Sequence, residues 1–418
     1  MDAADVHRRL ETVWRMEFPA LVAMVTRIVG DLSTAEDIVQ DVSVIALDQW
    51  RRDGMPREPA PWLRATAKHR AIDVLRRRHR TAVVIERAGL AAERRAVPDP
   101  SEEILAHPVT DDLLQLIFLT CHPALTRESQ VALTLRLFGG LSSAEIARAF
   151  LVPEATVAQR ISRAKRTLRD ASAGLELPVP DQLPGRVVSV GAVVYLIFNE
   201  GYAATSGDWT RPDLCAEAIR LGRILTSLLP GESELHGLSA LMQLHASRLP
   251  ARIDAAGRPV LLADQDRRLW DRLLIRQGVS ALERAIALGG ALRPYALQAS
   301  IAACHARAVS DATTDWDRIT ALYTVLAHVA PSPIIELNRA VAVGRSHGPA
   351  AGLAILDEVT AADALGDYPQ LPAVRADLLE RAGRPAAAAA AYRRAAELTR
   401  NEGERSIFLT RAAALEVD

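Results

Sequence analysis

The stretch that decides the fold is LSSAEIARAFLVPEATVAQRISRAKRTL, residues 141–168. Ser142 and Glu145 have the S-x-x-E spacing of a capping box, which predicts that a first helix begins here. The LVP tripeptide predicts a turn, and its proline can open a second helix because the first helical turn leaves that N–H unpaired anyway. Val157 and Ile161, four residues apart, predict the buried face of the second helix. The stretch therefore predicts a helix–turn–helix.

The outward face of the second helix carries side chains that suit DNA. In a helix–turn–helix, the N-terminal half of the second helix meets base edges in the major groove. Basic side chains further along the helix meet phosphates, which position the protein. A surface helical hairpin is the alternative. The candidate contacts are Thr156, Gln159, Arg160 and Arg163 for bases, and Lys165, Arg166 and Arg169 for phosphates.

Positive charge is concentrated in two segments. Residues 62–80 hold seven Lys or Arg against one acid, a charge of +6, and residues 153–169 hold five against one, a charge of +4. Subtracting both from the net charge of −1 leaves −11 on the rest of the chain. Two basic helices in an acidic body favour a two-part footprint on a polyanion.

The upstream basic segment has a different context from the helix–turn–helix. Trp62 lies beside a proline-rich loop that contains Arg57. Basic side chains next to an aromatic ring suit a DNA strand with unstacked bases. A basic amphipathic helix that binds RNA, or is simply solvated, is the alternative. The other candidate contacts in this segment are Lys68, His69 and Arg76.

Residues 18–50, before this segment, predict a long helical hairpin. Asp31 or Ser33 is the expected cap of its second helix. Asp37, Gln40 and Asp41 then lie on one face, at the i, i+3, i+4 spacing of helical neighbours. Such an acidic face is commonly solvated, but it also suits docking on a basic partner.

Composition and proline-bearing segments indicate the domain organisation. At 418 residues the chain is too long for one ordinary core, so two or three domains are expected. Abundant Ala, Leu and Arg with few aromatics favour helix over sheet, so the predicted fold class is all-α. The expected domains are residues 1–80, a linker at 81–110, residues 111–174 and residues 186–418.

The last domain contains an internal repeat with a shift of 36 residues. The shift pairs Ala340 with Ala376, and Leu356 with Tyr392. Small residues at a helix crossing, with a large residue further on, resemble the tetratricopeptide repeat. A generic Ala-rich helical hairpin is the alternative. Either one predicts a stack of helix pairs, which usually binds proteins or peptides on a concave face.

The most apolar run is AVVYLIFNEGY, residues 192–202, and it raises the question of catalysis. A buried strand ending on Asn199 and Glu200 would resemble the acid/base end of some barrel glycosidases. Such an enzyme also needs a second carboxylate across a cleft and several more strands. No such strands follow in the sequence, and Asp264 and Asp266, two aspartates in one loop, do not make a catalytic constellation. We therefore predict a buried helix and no enzyme. Asn199, Glu200 and Tyr202 either cap and pack that helix or form a latch between the last domain and the DNA-binding part.

The cysteines and termini predict an intracellular protein. Three scattered cysteines without a CxxC pair indicate free thiols in a reducing cytoplasm. The adjacent pairs Cys121–His122 and Cys304–His305 lack metal-site spacing, so we expect neither a metal nor a cofactor. The N-terminus has no apolar signal core, and no membrane span is expected.

Three motifs, GDLSTAEDIVQDV, PWLRATAKHRAIDVLRR and LSSAEIARAFLVPEATVAQRISRAKRTLR, resemble regions two and four of the extracytoplasmic-function (ECF) sigma factors. These proteins are alternative initiation subunits of bacterial RNA polymerase. The resemblance implies that Asp37, Gln40 and Asp41 grip core polymerase. It also implies that the residues from Arg57 to Arg76 named above recognise and melt the −10 element. The second helix of the helix–turn–helix would read the −35 element, and residues 97–103 would thread the RNA path.

The remaining residues resemble a sigma-factor subgroup with a C-terminal tetratricopeptide-like extension, which implies control or support of sigma activity by that extension. A DGPF-type (YCII-related) protein is a candidate partner by the same resemblance. A different interpretation is a one-component regulator, in which a helix–turn–helix joins a sensing repeat domain. That interpretation gives no role to residues 18–80. A sigma factor should bind core polymerase, whereas such a regulator binds its operator without it.

Overall fold

The computed structural model describes residues 3–87, 109–150, 152–202, 210–255, 257–362, 365–399 and 401–416. In these segments the regular structure is helical, and strand-like pairing is limited to one isolated bridge between Ile253 and Pro259. The predicted all-α fold class is confirmed. The chain divides into two compact units, Met1–Val193 and Val194–Asp418.

The first unit begins with a three-helix bundle. Its helices are α1 (Ala3–Val29), α2 (Leu32–Asp53) and α3 (Pro59–Arg87). Leu21, Val39 and Leu63, one from each helix, are completely buried between them. Asp31 caps α2, as one of the two expected residues, because its carboxylate accepts a hydrogen bond from the Thr34 N–H at 2.7 Å.

The first unit continues with α4 (Val109–Thr120), α5 (Arg127–Leu137), α6 (Ser143–Phe150), α7 (Glu154–Asp170) and the first part of α8 (Leu183–Tyr202). The expected capping box is present at α6. The Glu145 carboxylate accepts from the N–H and hydroxyl of Ser142 at 2.7 Å, and the Ser142 hydroxyl accepts from the Glu145 N–H at 3.2 Å. Pro153 takes the N-cap position of α7, one residue before the position expected for it.

Helix α8 contains the apolar run at residues 192–202, which is helical as predicted. The boundary between the two units falls inside α8, between Val193 and Val194. Contrary to our expectation, α8 is long and apolar enough to cross a membrane by length and composition. The core helix of a soluble protein can have the same length and apolar composition. In α8, the side chains of Val190, Ile197 and Phe198 are buried against other parts of the protein.

The second unit is built from successive antiparallel helix pairs. Three short 3₁₀ turns, at Leu249–Ala251, Leu262–Asp264 and Arg267–Leu269, separate α10 from α11. The helices are α9 (Pro212–Leu228), α10 (Ser233–Ala246), α11 (Arg272–Ala287), α12 (Pro294–Arg307), α13 (Trp316–Val329), α14 (Pro333–Ser346), α15 (Pro349–Ala361), α16 (Gln370–Arg381), α17 (Pro385–Leu398) and α18 (Glu402–Ala414).

The 36-residue repeat corresponds to two of these helix pairs. Helix α14 packs on α15, and α16 packs on α17. Ala340 and Ala376 are both completely buried, and so is Leu356, whose counterpart Tyr392 is 5% exposed. The small and large residues paired by the shift therefore occupy equivalent buried positions, which explains the repeat in terms of packing.

Gly352 shows how closely α14 and α15 approach each other. A Cβ at Gly352 would lie 2.6 Å from the carbonyl oxygen of Ala340 and 3.0 Å from the Cα of Gly344. Real Cβ atoms do not approach backbone atoms so closely, so a larger residue would force the helices apart. The counterpart in the next pair, Ala388, has a methyl group and is completely buried, so that crossing accommodates a Cβ.

We predict that Gly352→Ala destabilises the second unit by about 1–3 kcal/mol, because backbone strain at the crossing exceeds the gain in helix propensity. The free energy of unfolding from urea titrations measures the effect. Gly231→Ala is the matched control, since nothing lies within 4 Å of its added Cβ, and a change within about 0.5 kcal/mol is expected there. Equal stability of the two variants would contradict the tight crossing.

Candidate nucleic-acid interface

Helix α7 divides into a buried and an accessible face as the sequence predicted. Val157 and Ile161 are buried against the rest of the helix–turn–helix, with Ala164 and Leu168 further along. The accessible face carries the predicted base-contacting and phosphate-contacting residues. Gln159, Arg163, Arg166 and Arg169 are exposed, whereas Thr156, Arg160 and Lys165 are half-buried.

The phosphate-contacting end of α7 is paired with a buried acid from α2. Glu36 is 4% exposed, and one of its carboxylate oxygens lies 2.5 Å from Lys165 Nζ. The other oxygen lies 3.3 Å from Arg136 Nε on α5. A buried carboxylate is stable only when its charge is compensated. Glu36 therefore joins the three-helix bundle to the helix–turn–helix through two cations.

A second contact between the same helices involves Arg169. Its Nε lies 3.2 Å from the Asp31 carboxylate, and its Nη2 lies 3.4 Å from the hydroxyl of Ser33. Burial opposes ionisation of Asp31, but hydrogen bonds from Thr34 and the charge of Arg169 outweigh it and hold the pKa of Asp31 below its ordinary value. Asp31 thus caps α2 and binds α7 with the same ionised carboxylate.

A cavity of about 440 Å³ lies where these contacts meet. Cationic side chains from α5 and α7 and polar side chains from the start of α2 form its walls. Most of its cations already have acidic partners: Glu36 binds two of them, and Asp31 binds Arg169. The charged and hydroxyl-bearing lining residues are Ser33, Glu36, Arg136, Ser143, Ser162, Lys165, Arg166 and Arg169.

The upstream basic segment lies on α3, with Trp62 in its first turn. The Trp62 ring is half-buried and packs edge-on against the buried Trp50, with 5.3 Å between ring centroids. Arg64, which the sequence analysis did not single out, binds Glu17 of α1 at 2.8 Å. The remaining candidates are accessible: Arg57, His69 and Arg76 are exposed, and Lys68 is half-buried.

The acidic face of α2 points away from the contacts made by Glu36. Asp37, Gln40 and Asp41 are all exposed, at the spacing that places them on one face. Glu36, next to Asp37 in sequence, is buried. Adjacent acids on one helix therefore have different environments, one inside the unit and the others open to solvent.

The residues predicted to form a latch make contacts inside the second unit. Glu200 binds Arg211 at 2.6 Å, and Asn199 hydrogen-bonds the Tyr195 hydroxyl. The Tyr202 ring stacks on Phe198, with 5.7 Å between centroids. These contacts account for capping and packing, and the latch role stays a prediction.

The thiols occupy apolar surroundings rather than a metal centre. Cys121, Cys215 and Cys304 are free and buried. Burial raises the pKa of each thiol, that of Cys215 to about 12. Over the part of the chain that the structure describes, no group of three or more His, Cys, Asp or Glu side chains could hold a metal ion. The linker at residues 97–103 lies outside the described residues.

Comparison with known proteins matches three parts of the chain. The family of sigma-70 region 2 matches residues 14–81, and that of sigma-70 region 4 matches residues 115–168. These segments contain most of the three-helix bundle and most of the helix–turn–helix. A probable RNA polymerase sigma factor, RfaY, from Xanthomonas campestris pv. campestris is 30% identical over 169 residues, 40% of each chain. The chain belongs to the ECF-like sigma factors and carries a C-terminal extension.

The extension of this sigma factor matches a family of unknown function, DUF6596, over residues 186–286. An uncharacterized protein, R00370, from Rhizobium meliloti (strain 1021) is 40% identical over 389 residues, 92% of this chain and 91% of the relative. No solved structure matches the chain. Sigma factors of this kind bind core RNA polymerase and promoter DNA, are not enzymes and generally act in the cytoplasm.

Two residues of this sigma factor have a role that the sequence did not reveal. Neither Glu36 nor Arg136 was among the residues that the sequence pattern indicated. Their contact spans 100 residues, and no local motif predicts it. The apolar neighbours of Glu36 on α2, at positions 35, 38 and 39, were the available signal, because they place Glu36 beside a buried face.

We predict that Glu36→Gln destabilises the sigma factor by about 1–3 kcal/mol, because it leaves Arg136 and Lys165 facing an uncharged amide. Thermal denaturation monitored by circular dichroism measures the change. Asp37→Asn is the matched control on the adjacent exposed position, and it should shift stability by no more than about 0.5 kcal/mol. If Asp37→Asn destabilised the protein as much as Glu36→Gln, the loss would come from the change in net charge and not from the contact of Glu36 with Arg136 and Lys165.

Proposed function

We propose that this sigma factor directs promoter-specific initiation through two DNA contacts, one on α7 and one at the start of α3. The observation that carries the proposal is the accessible polar face of α7, which a capped helix–turn–helix presents to solvent. Thr156, Gln159, Arg160 and Arg163 read the −35 element from this face. Lys165 and Arg166 bind its phosphates.

The second contact is at the −10 element. Trp62 supports it because the buried Trp50 holds its half-buried ring at the surface. An aromatic ring held in place can stack on a base that has left the duplex, and flanking cations hold the backbone of the separated strand. Arg57, Lys68, His69 and Arg76 supply these cations and hydrogen-bond donors.

DNA must compete with acids of the protein for part of this surface. Lys165 pairs with Glu36, and Arg169 pairs with Asp31. Phosphates and these carboxylates are alternative partners of the same cations, so binding at the −35 element requires that α7 separate from α2. Such a closed arrangement favours weak promoter binding by the isolated sigma factor and stronger binding once polymerase holds the two regions apart.

Core polymerase binds the exposed acidic face of α2 in this proposal. Asp37, Gln40 and Asp41 support it because they are accessible and make one patch, separate from the inward-facing Glu36. A one-component regulator, the alternative interpretation of the sequence, would have no function for Asp37, Gln40 and Asp41. The match of residues 14–81 to sigma-70 region 2 supports this role.

The C-terminal extension controls or supports the sigma regions. Its stacked helix pairs are the kind of surface that binds proteins or peptides, and a DGPF-type (YCII-related) protein remains the candidate partner. Asn199, Glu200 and Tyr202 are the proposed latch residues. The protein itself performs no chemistry, needs no metal or cofactor and acts in the cytoplasm.

We predict that the two surfaces can be disabled separately. Arg160→Ala with Arg163→Ala should lower promoter-dependent transcription by about 10-fold or more, since each lost DNA contact costs about 1–3 kcal/mol, while core binding is retained. Asp37→Lys with Asp41→Lys should instead weaken core binding itself. In-vitro transcription and pull-down of reconstituted core polymerase measure both.

Two controls belong to this experiment. Arg284→Ala removes an exposed arginine from α11, and Asp48→Lys reverses an exposed acid further along α2; neither should change transcription. Tight, specific binding of the purified protein to promoter duplex, with no affinity for core polymerase, would refute the sigma mechanism and favour the one-component regulator.

We predict that truncation after Val193 changes promoter-dependent transcription at least about fivefold, the effect of a coupling of about 1 kcal/mol between extension and sigma regions. The cut keeps the part of α8 in which Arg186 donates to the Phe118 carbonyl and Arg127 binds Ser189. Circular dichroism and core binding verify that the sigma regions remain folded. Equal activity of the truncated and full chains would exclude a regulatory extension.

A further inference from the structure

Among the described residues of the second unit, one buried guanidinium has no partner of opposite charge. Arg248 follows the carboxyl end of α10 and is 8% exposed. Among the described residues, its Nε has no hydrogen-bond acceptor and no carboxylate pairs with it. Burying a charge in this way is strongly unfavourable unless something else compensates it.

Arg267, in the same unit, is a buried arginine whose guanidinium stabilises the fold through hydrogen bonds and an ion pair. It is 5% exposed and donates to the carbonyls of His305 at 2.8 Å and Ala308 at 3.1 Å. It also donates to the Thr314 hydroxyl at 3.0 Å, and the carboxylate of Asp311 lies 3.9 Å away. Arg248 has none of these kinds of partner, so its environment is not that of a structural arginine.

Two aromatic rings hold the Arg248 guanidinium in place. The centroid of Tyr202 lies 5.6 Å from its Cζ, and that of Trp270 lies 5.9 Å away. Ring faces attract a cation but accept no conventional hydrogen bond from its N–H groups. A further cation, Arg252, lies 4.0 Å from the Tyr202 centroid, which adds positive potential. The rings contact the cation but leave its Nε–H group without an acceptor among the described residues.

The imidazole and phenol side chains near Arg248 lie deep in the second unit but keep part of their surface accessible. Burial first, then the charges of Arg248 and Arg252, holds the pKa of His245 well below its ordinary value, yet the His245 ring keeps accessible surface. Burial likewise raises the pKa of Tyr323 to about 12, although its ring is only half-buried. Groups that lie deep in the protein but remain accessible are found on the walls of a concave site.

We propose that these side chains line a recess that binds a small organic carboxylate, with Arg248 as its anchor. The site, called the Arg248 recess below, consists of Tyr195, Tyr202, His245, Arg248, Trp270 and Tyr323. All but Tyr323 lie in residues 186–286, the segment that matches the family of unknown function. The recess thereby gives that segment a ligand-binding role.

The chemistry of the recess favours a carboxylate with an apolar body. A guanidinium presents a planar fork that binds a carboxylate through two parallel hydrogen bonds. The single positive charge of the Arg248 guanidinium is compensated by a ligand with one negative charge, which a carboxylate has at neutral pH. The walls are aromatic faces, which favour an apolar or aromatic body. The Tyr323 hydroxyl, whose pKa burial raises to about 12, stays protonated at neutral pH and can donate to the same anion.

Titration of the purified full-length protein without polymerase tests the proposal, so its outcome does not depend on whether the chain supports transcription. The probes are benzoate, its neutral analogue benzamide, and inorganic phosphate, measured by calorimetry and by thermal denaturation. We expect benzoate to bind and to raise Tm by about 3 °C at tenfold its Kd, with no effect of benzamide.

Variants of Arg248 separate a ligand site from a structural role. Arg248→Met should weaken benzoate binding at least about tenfold. Its Tm without ligand should equal or exceed that of the wild type, because an uncompensated buried charge is removed. Arg248→Lys keeps the charge but loses the planar fork, and it should also bind more weakly. Arg268→Met is the control, since Arg268 is 88% exposed and should not affect binding.

Several results would overturn the proposal. One is failure of the wild type to bind benzoate up to about 10 mM. Another is equal binding by wild type and by Arg248→Lys or Arg248→Met. A third is binding of inorganic phosphate in place of benzoate, which would contradict the carboxylate assignment.

Discussion

The buried carboxylate of Glu36 is the interaction on which the arrangement of the first unit depends. It belongs to the three-helix bundle, whereas its partners Arg136 and Lys165 belong to the helix–turn–helix. Because an uncompensated charge inside a protein is unfavourable, Glu36 holds these two cations close, and with them the two sigma regions. Lys165 is also one of the cations proposed to bind DNA phosphates. The contact that stabilises the closed unit and the contact that binds DNA therefore compete for one side chain.

The features that could be predicted from the sequence are those formed between near neighbours. The capping box of Ser142 and Glu145, the Asp31 cap and the buried face of α7 each need only residues within one or two helical turns. Their geometry follows from backbone hydrogen bonding and helical period, which act locally. The secondary structure of the apolar run at residues 192–202 was harder to predict, because its composition suits both a strand and a helix. The surrounding sequence contains no further strands for it to pair with, and this favoured the helix.

The features that could not be predicted depend on contacts between distant parts of the chain. The pair Glu36–Arg136 spans 100 residues, and Arg169–Asp31 spans 138. Composition showed that α7 is basic but not which of its cations already have acidic partners. Arg248 had no distinguishing feature in the sequence, because an arginine after a helix is ordinarily solvated. Its burial between Tyr202 and Trp270 is a property of the tertiary packing alone.

The three buried thiols have a practical consequence for measuring motion between sigma regions. A thiol must ionise to react with a maleimide, and a raised pKa together with burial suppresses that reaction at neutral pH. Cys121, Cys215 and Cys304 are protected in both ways. Cysteines introduced at exposed positions of α2 and α7 would therefore be labelled selectively in the otherwise native chain. A fluorescent donor and acceptor placed there would report directly on separation of the two helices during initiation.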